Sequence, residues 1–134
     1  MGINDNQLNI FSEPLEICSL DPLTGFYRDG YCKTGPQDYG SHTVAAVISD
    51  DFLEFQKSLG NDLSTPKPMF NFPGLKHGNR WAVCASRWLQ AYKAGRACRV
   101  ILAATNIKAL EIIPFDYLKE FEYKDEINET KNFE

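Results

Sequence analysis

The 134-residue chain has no window that approaches the roughly 18 consecutive apolar residues of a membrane-spanning helix. Its first seven residues carry no lysine or arginine, so the basic start of a secretory signal is also missing. These absences predict a cytoplasmic protein with no membrane contact. The apolar fraction of 43% and the charged fraction of 24% are typical of a globular chain, and the length fits one compact domain.

Cysteine and histidine are sparse, with four and two copies, and no two cysteines have the Cys-x-x-Cys spacing of a zinc knuckle. Disulfides are not expected in a reducing cytoplasm, so each cysteine is either a small apolar core residue or a functional thiol. Three thiolates and one imidazole from separate elements would still make an acceptable tetrahedral zinc site, the one cofactor to consider. The candidate metal ligands are Cys18, Cys32, His42 and Cys84.

Acidic residues are missing from the middle of the chain. Residues 63–110 contain eight bases and no acid, whereas residues 1–62 carry ten acids and three bases, and residues 111–134 carry eight acids and three bases. The basic segment is either a face for a small anion or a surface covered by the acidic flanks. The isoelectric point of about 5.2 favours the second interpretation and disfavours nucleic acid as a partner. Pairing between chains is also compatible with the pattern, which therefore allows a monomer or a homodimer.

The apolar pattern predicts an α+β fold, with a mainly antiparallel sheet of about five strands, two principal helices and a short C-terminal helix. A β-branched run over 42–48 has the character of a central strand. A helix capped at Ser49 should end at Gly60, and a second helix is predicted over 80–94, with a strand over 81–84 as the alternative. The other elements are strands at 9–11, 15–18, 99–104 and 110–113, a hairpin around Asp29-Gly30, and a helix at 114–121.

Three segments complete the predicted organisation: a flexible N-terminus over 1–8, a single domain over 9–123, and a charged, disordered tail over 124–134. Within the domain, residues 61–78 hold three prolines and two glycines, too many for a regular element. This long loop is also too apolar for disorder. We expect it to pack on the domain and help to wall a cleft.

Polar residues around two glycine-containing turns suggest a binding site for a small anionic molecule, because loops held by a rigid sheet often carry binding residues. An arginine would hold a carboxylate or phosphate through two hydrogen bonds, and Asp38 or Asp29 would orient the His42 imidazole. The alternative is that these aspartates only stabilise turns. The candidate ligand-binding residues, where loop 34–42 meets loop 61–78, are Arg28, Asp29, Asp38, His42, Asp62, Arg80, Trp81 and Arg87.

Two other functions remain open at this point. The first is a cysteine-dependent enzyme for acyl or thiol chemistry, with Cys84 or Cys32 as nucleophile and His42 as base; it requires a thiol within hydrogen-bond reach of the imidazole. Against it, Cys84 lies in a tryptophan-rich apolar stripe, and apolar surroundings raise the pKa of a thiol. The second is a structural or interaction domain that zinc stabilises.

A series of turn and loop motifs extends over about residues 9–122. The motifs include Cys18-Ser, Asp21-Pro22, Thr24-Gly25-Phe26-Tyr27-Arg28-Asp29-Gly30, Thr34-Gly35-Pro36, His42-Thr43-Val44, Phe72-Pro73-Gly74-Leu75 and Arg80-Trp81-x-x-Cys84-Ala85-Ser86-Arg87-Trp88. The chain thereby resembles the bacterial and plastid domain-of-unknown-function family 2237. The resemblance implies a small single-domain cytosolic protein, with Cys18, Cys32 and Cys84 on motif positions, and it carries over no catalytic residue. Ala45 stands where the family often has cysteine, which weighs against any mechanism that needs four family cysteines.

Overall fold

The computed structural model describes residues 6–124, which form a three-stranded antiparallel sheet, three α-helices and three short 3-10 helices. This arrangement agrees with the predicted α+β architecture at a coarse level. The strands and α-helices are β1 (Val44–Val47), α1 (Asp50–Ser58), β2 (Arg80–Val83), α2 (Ala85–Lys93), β3 (Arg99–Val100) and α3 (Phe115–Glu120). The 3-10 helices are Pro68–Phe70, Leu102–Ala104 and Ile107–Glu111.

Strand β1 lies at the centre of the sheet between β2 and β3, as the apolar run at 42–48 predicts. Val44 pairs with Val83 of β2, and Ala46 pairs with Val100 of β3. Successive β1 residues face two different apolar clusters: Val44 and Ala46 belong to the main core, and Ala45 belongs to a smaller one. Both faces are therefore covered, which explains why the strand shows no alternation of apolar and polar residues.

Helix α1 begins and ends where its local signals predict. The Ser49 hydroxyl accepts the backbone N–H of Phe52 at 3.1 Å, and Asp50 and Asp51 place negative charge at the positive end of the helix. The chain leaves the helix through Gly60, whose φ of 89° suits glycine. Phe52 is fully buried on the face that packs toward the sheet.

The single helix predicted over 80–94 is wrong at its start, because residues 80–83 form β2 and the helix begins only at Ala85. Trp81 and Val83 are buried in the main core and Ala82 in the smaller cluster, so the helical spacing of apolar residues there is coincidental. Cys84 separates the two elements with an extended backbone. A short buried strand cannot be told from a buried helix by periodicity alone, and the alternative of a strand at 81–84 is nearly correct.

The prediction of about five strands is also wrong, because the described N-terminal segments contribute only isolated bridges such as that between Asn9 and Asn106. The side-chain oxygen of Asn9 accepts the backbone N–H groups of Phe11 and Glu13 at 2.9 and 3.1 Å. These bonds turn the chain where the pattern predicts a strand at 9–11, since a short polar side chain competes with the sheet for backbone groups.

Side-chain bonds also replace two other predicted strand elements. At the expected hairpin, the Asp29 carboxylate accepts the Tyr31 N–H at 3.1 Å, and the Gly30 carbonyl accepts the N–H of Cys18 at 2.7 Å, so no two-stranded ladder forms. The strand expected at 110–113 does not form, and its first two residues belong to the 3-10 helix Ile107–Glu111. Its cap is Asn106, whose side chain accepts from the Lys108 N–H at 2.9 Å.

The chain is hydrogen-bonded to the domain already at Gln7, within the segment 1–8 that is predicted to be flexible. The Gln7 side chain donates to the Thr34 carbonyl at 2.9 Å and accepts from the Thr34 N–H at 2.9 Å and the Asn106 amide at 2.7 Å. Residues 1–5, and the predicted tail apart from Lys124, lie outside the described residues. Between residues 6 and 124, none of the helices has the length and apolar character needed to cross a bilayer.

The basic middle segment is paired with its acidic flanks in part. Arg96 contacts Asp51 at 2.6 Å and Glu54 at 3.4 Å, and Lys108 contacts Glu111 at 3.4 Å. These pairs are largely exposed, so each contributes little to stability, about 0–1 kcal/mol. They support the interpretation that the charge blocks meet within one chain, at least along α1.

Candidate functional site

The loop before β1 holds a buried carboxylate against an imidazole. Asp38 Oδ1 lies 2.6 Å from His42 Nδ1, and Asp38 Oδ2 accepts the His42 backbone N–H at 2.9 Å and the Thr34 hydroxyl at 3.0 Å. The Asp38 side chain is fully buried. Its two oxygens therefore have the donors that a buried charge needs, and they fix the orientation of the His42 ring.

The other nitrogen of the same ring faces a thiol. His42 Nε2 lies 3.3 Å from Cys84 Sγ, so Asp38, His42 and Cys84 form a continuous chain of carboxylate, imidazole and thiol. The carboxylate accepts a hydrogen bond from Nδ1–H, and Nε2 is then directed at the sulfur. This is the arrangement of a nucleophile, a base and a group that orients the base. The distance meets the requirement that the cysteine-enzyme hypothesis sets.

Sheet register explains why two residues 42 positions apart meet. Val44 pairs with Val83 in the antiparallel β1–β2 ladder. His42 precedes Val44 and Cys84 follows Val83, so both lie beyond the same end of the ladder. The register thus selects Cys84, of the four cysteines, as the partner of His42.

Two neighbouring residues leave room for this contact and hold it in place. A Cβ atom on Gly40 would lie 2.9 Å from Cys84 Sγ and 3.0 Å from His42 Cε1, so only glycine leaves space for both groups. Ser41, with a φ of 51°, accepts the Ala85 N–H with its carbonyl at 3.0 Å. That bond ties the loop to the first residue of α2. Sequence reasoning missed both residues, although they lie between the candidates Asp38 and His42.

Cys84 is also the N-terminal cap residue of α2, a helix of nine residues. The N–H of Ala85 is taken by Ser41, whereas those of Ser86 and Arg87 have no acceptor among the residues that the structure describes. The first turn of a helix carries a partial positive charge from such amides. The Cys84 sulfur therefore lies beside the positive end of α2.

The electrostatics of the imidazole point the same way. The hydrogen bond to Cys84 and, opposed by partial burial, the bond to Asp38 raise the pKa of His42 from 6.5 to about 9. The ring therefore holds its proton at neutral pH, and its positive charge lies 3.3 Å from the Cys84 sulfur. The proton on His42 Nε2 is then available for donation to a leaving group at the sulfur.

The remaining cysteines lie in different surroundings. Cys32 is fully buried beside Cys18, and burial followed by the Cys18 contact raises its pKa well above the ordinary value. Burial likewise raises the pKa of Cys98 to about 12. The predicted alternative pairing of Cys32 with His42 is therefore wrong, since the partner of Cys32 is Cys18.

The predicted set of four zinc ligands is not assembled. Cys18 and Cys32 form one pair in the smaller core cluster, and His42 and Cys84 form another at the end of the β1–β2 ladder. Between residues 6 and 124, no three His, Cys, Asp or Glu side chains are grouped in a way that would hold a metal ion. The physical reason is that Cys18 and Cys32 pack against Ala45 and Ala82 in the smaller cluster, whereas His42 and Cys84 lie beyond the end of the β1–β2 ladder.

A cavity of about 550 Å³ lies beside His42, between the turn at 25–28, β2 and the long loop. A recess of about 70 Å³ contains Cys84 and Arg87, and it shares wall residues with the cavity. The shared residues are His42, Asn61, Leu63, Trp81 and Ala82. The thiol therefore lies in a small pocket that adjoins a space large enough for an organic molecule.

The structure brings together six of the eight predicted ligand-binding residues. Four of them line the larger cavity: Arg28, His42, Asp62 and Trp81. Arg87 lies in the recess, and Asp38 binds the His42 imidazole through Nδ1. Asp29 is not among them, because it pairs with Lys33 at 3.3 Å. Arg80 is not among them either, because it begins β2 at the end remote from Cys84 and packs over the Tyr123 ring.

Sequence reasoning missed several wall residues of the cavity, notably Phe26 and Lys67. The Phe26 ring stacks against His42, with centroids 6.0 Å apart. Lys67 belongs both to the acid-free segment and to the long loop, and these two features together could have predicted it as a wall residue. The loop does wall the cleft as expected, through residues 61–63, 67 and 70–72.

A comparison with protein-family models matches residues 8–122 to a family described as uncharacterized proteins conserved in bacteria (DUF2237). The chain belongs to this family. The matched range confirms the resemblance drawn from the sequence motifs and contains Asp38, His42 and Cys84. No curated protein sequence matches the chain.

The raised pKa of His42 predicts a pH dependence of stability. The folded chain holds this proton more tightly than the unfolded chain, so its contribution is complete below about pH 6.5 and is lost as the pH rises to about 9. The free energy of unfolding should therefore decrease between these values. His42→Gln should show a flatter profile over the same window, measured by urea unfolding at a series of pH values.

The exposed histidine supplies the control for this prediction. His77 is 68% exposed and lies 3.9 Å from the exposed Asp50, so His77→Gln should leave the profile of the unmodified chain unchanged. Above about pH 9 the natural chain and His42→Gln should both lose stability, because the buried Cys32 and Cys98 thiols then ionise more readily in the unfolded chain. Parallel profiles for the natural chain and His42→Gln between pH 6.5 and 9 would contradict the assignment.

Proposed function

We propose that the protein catalyses acyl transfer through a thioester on Cys84, with His42 as the proton carrier and Asp38 as the residue that positions it. The observation that carries this proposal is the chain of contacts from Asp38 to His42 at 2.6 Å and from His42 to Cys84 at 3.3 Å. The recess at Cys84 opens at the thiol end of this chain of contacts. This combination of nucleophile, base and orienting group is how cysteine enzymes activate a thiol.

The proposed first half-reaction forms the thioester. The Cys84 thiolate attacks the carbonyl carbon of an ester or activated amide, and the bond to the leaving group breaks as His42 Nε2 gives it a proton. The backbone amides of Ser86 and Arg87, in the helical turn that follows Cys84, are the proposed donors for the oxyanion. The products are an S-acyl enzyme and the free alcohol or amine.

The proposed second half-reaction returns the enzyme to its starting state. A water molecule loses a proton to His42 and adds to the thioester carbon, and the carbon–sulfur bond breaks. The carboxylic acid leaves, and the sulfur and the imidazole again share one proton. Asp38 does not contact the reacting atoms and acts by holding the ring and its positive charge.

The geometry favours acyl chemistry over thiol–disulfide exchange. Exchange requires a second cysteine beside the first, and within residues 6–124 the only hydrogen-bond partner of the Cys84 sulfur is His42. Cys18 and Cys32 accompany each other instead, and both are buried. A zinc-stabilised domain is likewise less favoured, because the candidate ligands fall into two pairs.

The test is to trap the acyl enzyme. The intact protein is mixed with 4-nitrophenyl acetate at neutral pH, quenched in acid, and its mass and peptides are analysed. One acetyl group per chain on the peptide that contains Cys84 is expected, together with a burst of 4-nitrophenol. The buried Cys18, Cys32 and Cys98 act as internal controls and should remain unmodified.

Two results would overturn the proposal. One is acetylation that spreads over surface lysines with none on Cys84. The other is a reaction of Cys84 with iodoacetamide that is no faster in the natural chain than in His42→Gln, because the proposed mechanism requires His42 to activate the thiol. Either result would leave the cavity as a binding site without nucleophilic chemistry.

A further inference from the structure

We infer that the substrate of this site is an acyl compound whose acyl chain ends in a carboxylate, which binds Arg28 in the larger cavity while the scissile carbonyl lies at Cys84. The inference rests on the proposed acyl transfer and adds its substrate class. It follows from the division of the site into two spaces, from the charges that line the larger space, and from the apolar walls between them.

The two spaces differ in size in a way that orients the substrate. The recess at Cys84 measures about 70 Å³, whereas the adjoining cavity measures about 550 Å³. Since a water molecule occupies about 30 Å³ of the liquid, the recess has room for little more than the reacting group. The cavity lies within the usual size range of ligand pockets and has room for the rest of the substrate.

Arg28 is held in place but keeps most of its hydrogen-bond donors. Its Nη1 donates to the Gly25 carbonyl at 3.0 Å, and its guanidinium lies 5.1 Å from the Trp81 ring centroid. No carboxylate pairs with it in the described part of the chain. A planar guanidinium fixed on an aromatic ring and open at its remaining N–H groups is suited to bind a carboxylate through two parallel bonds.

The other charges of the cavity favour a single negative charge on the ligand. Lys67 adds a second cation that has no described carboxylate partner. Asp62 adds one negative charge, but its oxygens accept from the hydroxyl and N–H groups of Thr65 and Ser64, and these bonds hold its pKa well below the usual range. The Asp38 carboxylate, 2.6 Å from Nδ1, balances the charge of the His42 imidazolium. Arg28, Lys67 and Asp62 then leave the lining with one net positive charge, which matches a carboxylate better than a doubly charged phosphate.

The space between the anion site and the thiol is bordered by apolar side chains. Phe26, Phe72 and Trp81 line the larger cavity, and Phe52 and Val83 line the recess. A methylene chain or another apolar linker fits these surroundings, since a charged or strongly hydrated linker would lose water without gaining a partner. The expected ligand is therefore amphipathic, with an anion at one end and an acyl carbon at the other.

The test compares charged and neutral esters of matched length. The mono-4-nitrophenyl esters of succinate, glutarate and adipate are assayed beside the 4-nitrophenyl esters of the corresponding monocarboxylic acids of equal chain length. At the best length, the natural chain should show a kcat/KM at least about tenfold higher for the charged ester. Arg28→Gln should lower kcat/KM for that ester by about 10- to 100-fold, the effect of losing hydrogen bonds to a charged group.

Three further measurements separate ligand recognition from structural damage. Arg28→Gln should lower kcat/KM for the neutral ester much less than for the charged ester, and Arg28→Lys should recover part of the preference through its charge. Arg80→Gln removes a cation that lies outside the cavity, so it should keep the full preference. Most of the loss in Arg28→Gln should be in KM, because Arg28 contacts the ligand away from the reacting atoms.

The outcomes distinguish this inference from the function on which it rests. Acylation of Cys84 by neutral esters with no preference for charged ones would overturn the carboxylate assignment and leave acyl transfer intact. An Arg28→Gln variant that turns over both ester types more slowly, by the same factor, would also overturn the assignment. If no ester acylates Cys84 at all, the proposed function fails and this inference fails with it.

Discussion

Replacing Cys84 with alanine is expected to abolish acyl-enzyme formation and to reduce ester turnover by more than about 10³-fold. The sulfur is the only group in the described site that is placed to form the covalent intermediate, with His42 Nε2 at 3.3 Å. The side chain is only partly buried and makes no capping bond to α2, so its removal should leave the fold intact. The measurement is burst and steady-state release of 4-nitrophenol, with peptide mass analysis.

The same variant has a second readout that does not depend on activity. The hydrogen bond to Cys84 is the largest contribution that raises the pKa of His42 to about 9, so Cys84→Ala should move this pKa down toward 6.5. The histidine ring signals in an NMR titration report it directly, and His77 gives the reference curve. Arg80→Gln is the matched active control. Unchanged turnover in Cys84→Ala would place the nucleophile elsewhere.

Replacing Asp38 with asparagine is expected to slow acylation of Cys84 by about 10²- to 10⁴-fold. The carboxamide nearly preserves the shape of the side chain but removes the charge that orients the imidazole and stabilises its protonated form. Because Asp38 contributes to the raised pKa of His42, the variant should also shift the alkaline limb of the pH–rate profile to lower pH. The measurement is the single-turnover acylation rate between pH 5 and 10.

A matched variant separates positioning of the ring from simple stabilisation of the loop. Thr34→Val removes one hydrogen bond to the same Asp38 carboxylate, at 3.0 Å, without touching the ring. It should lower stability by about 0.5–1.5 kcal/mol and leave the pH–rate profile nearly in place. If Asp38→Asn likewise lowers only the stability, and the pH–rate profile and the acylation rate of the folded protein are unchanged, then Asp38 has only a structural role.

Elements with strong local signals were predictable. The central position of β1 follows from its β-branched apolar run, and the start of α1 follows from Ser49 and the two aspartates after it. The short helix after Pro114 is also confirmed as α3. In each case the residues that determine the element are close neighbours in the chain, so the pattern itself contains the information.

Other elements depend on partners that are distant in the chain. Asn9 could have continued a strand, but its side chain donates to the Ala103 carbonyl at 3.1 Å and bends the chain instead. Trp81 has helical spacing from Cys84 and Trp88, yet it pairs with Ala46 in the sheet. Such choices depend on which strand or loop packs alongside, and no window of neighbouring residues specifies that.

The amino-acid sequence by itself determined the groups available for chemistry and the loops that carry them: a His42 with aspartates nearby, an acid-free segment rich in cations, and a long apolar loop that walls a cleft. The tertiary structure decided which thiol meets the imidazole. Pairing of Val44 with Val83 brings His42 and Cys84 to one end of the β1–β2 ladder, whereas Cys32 is buried against Cys18. The physical reason is that strand register, set by burial of apolar faces across the whole sheet, fixes distances that local patterns leave open.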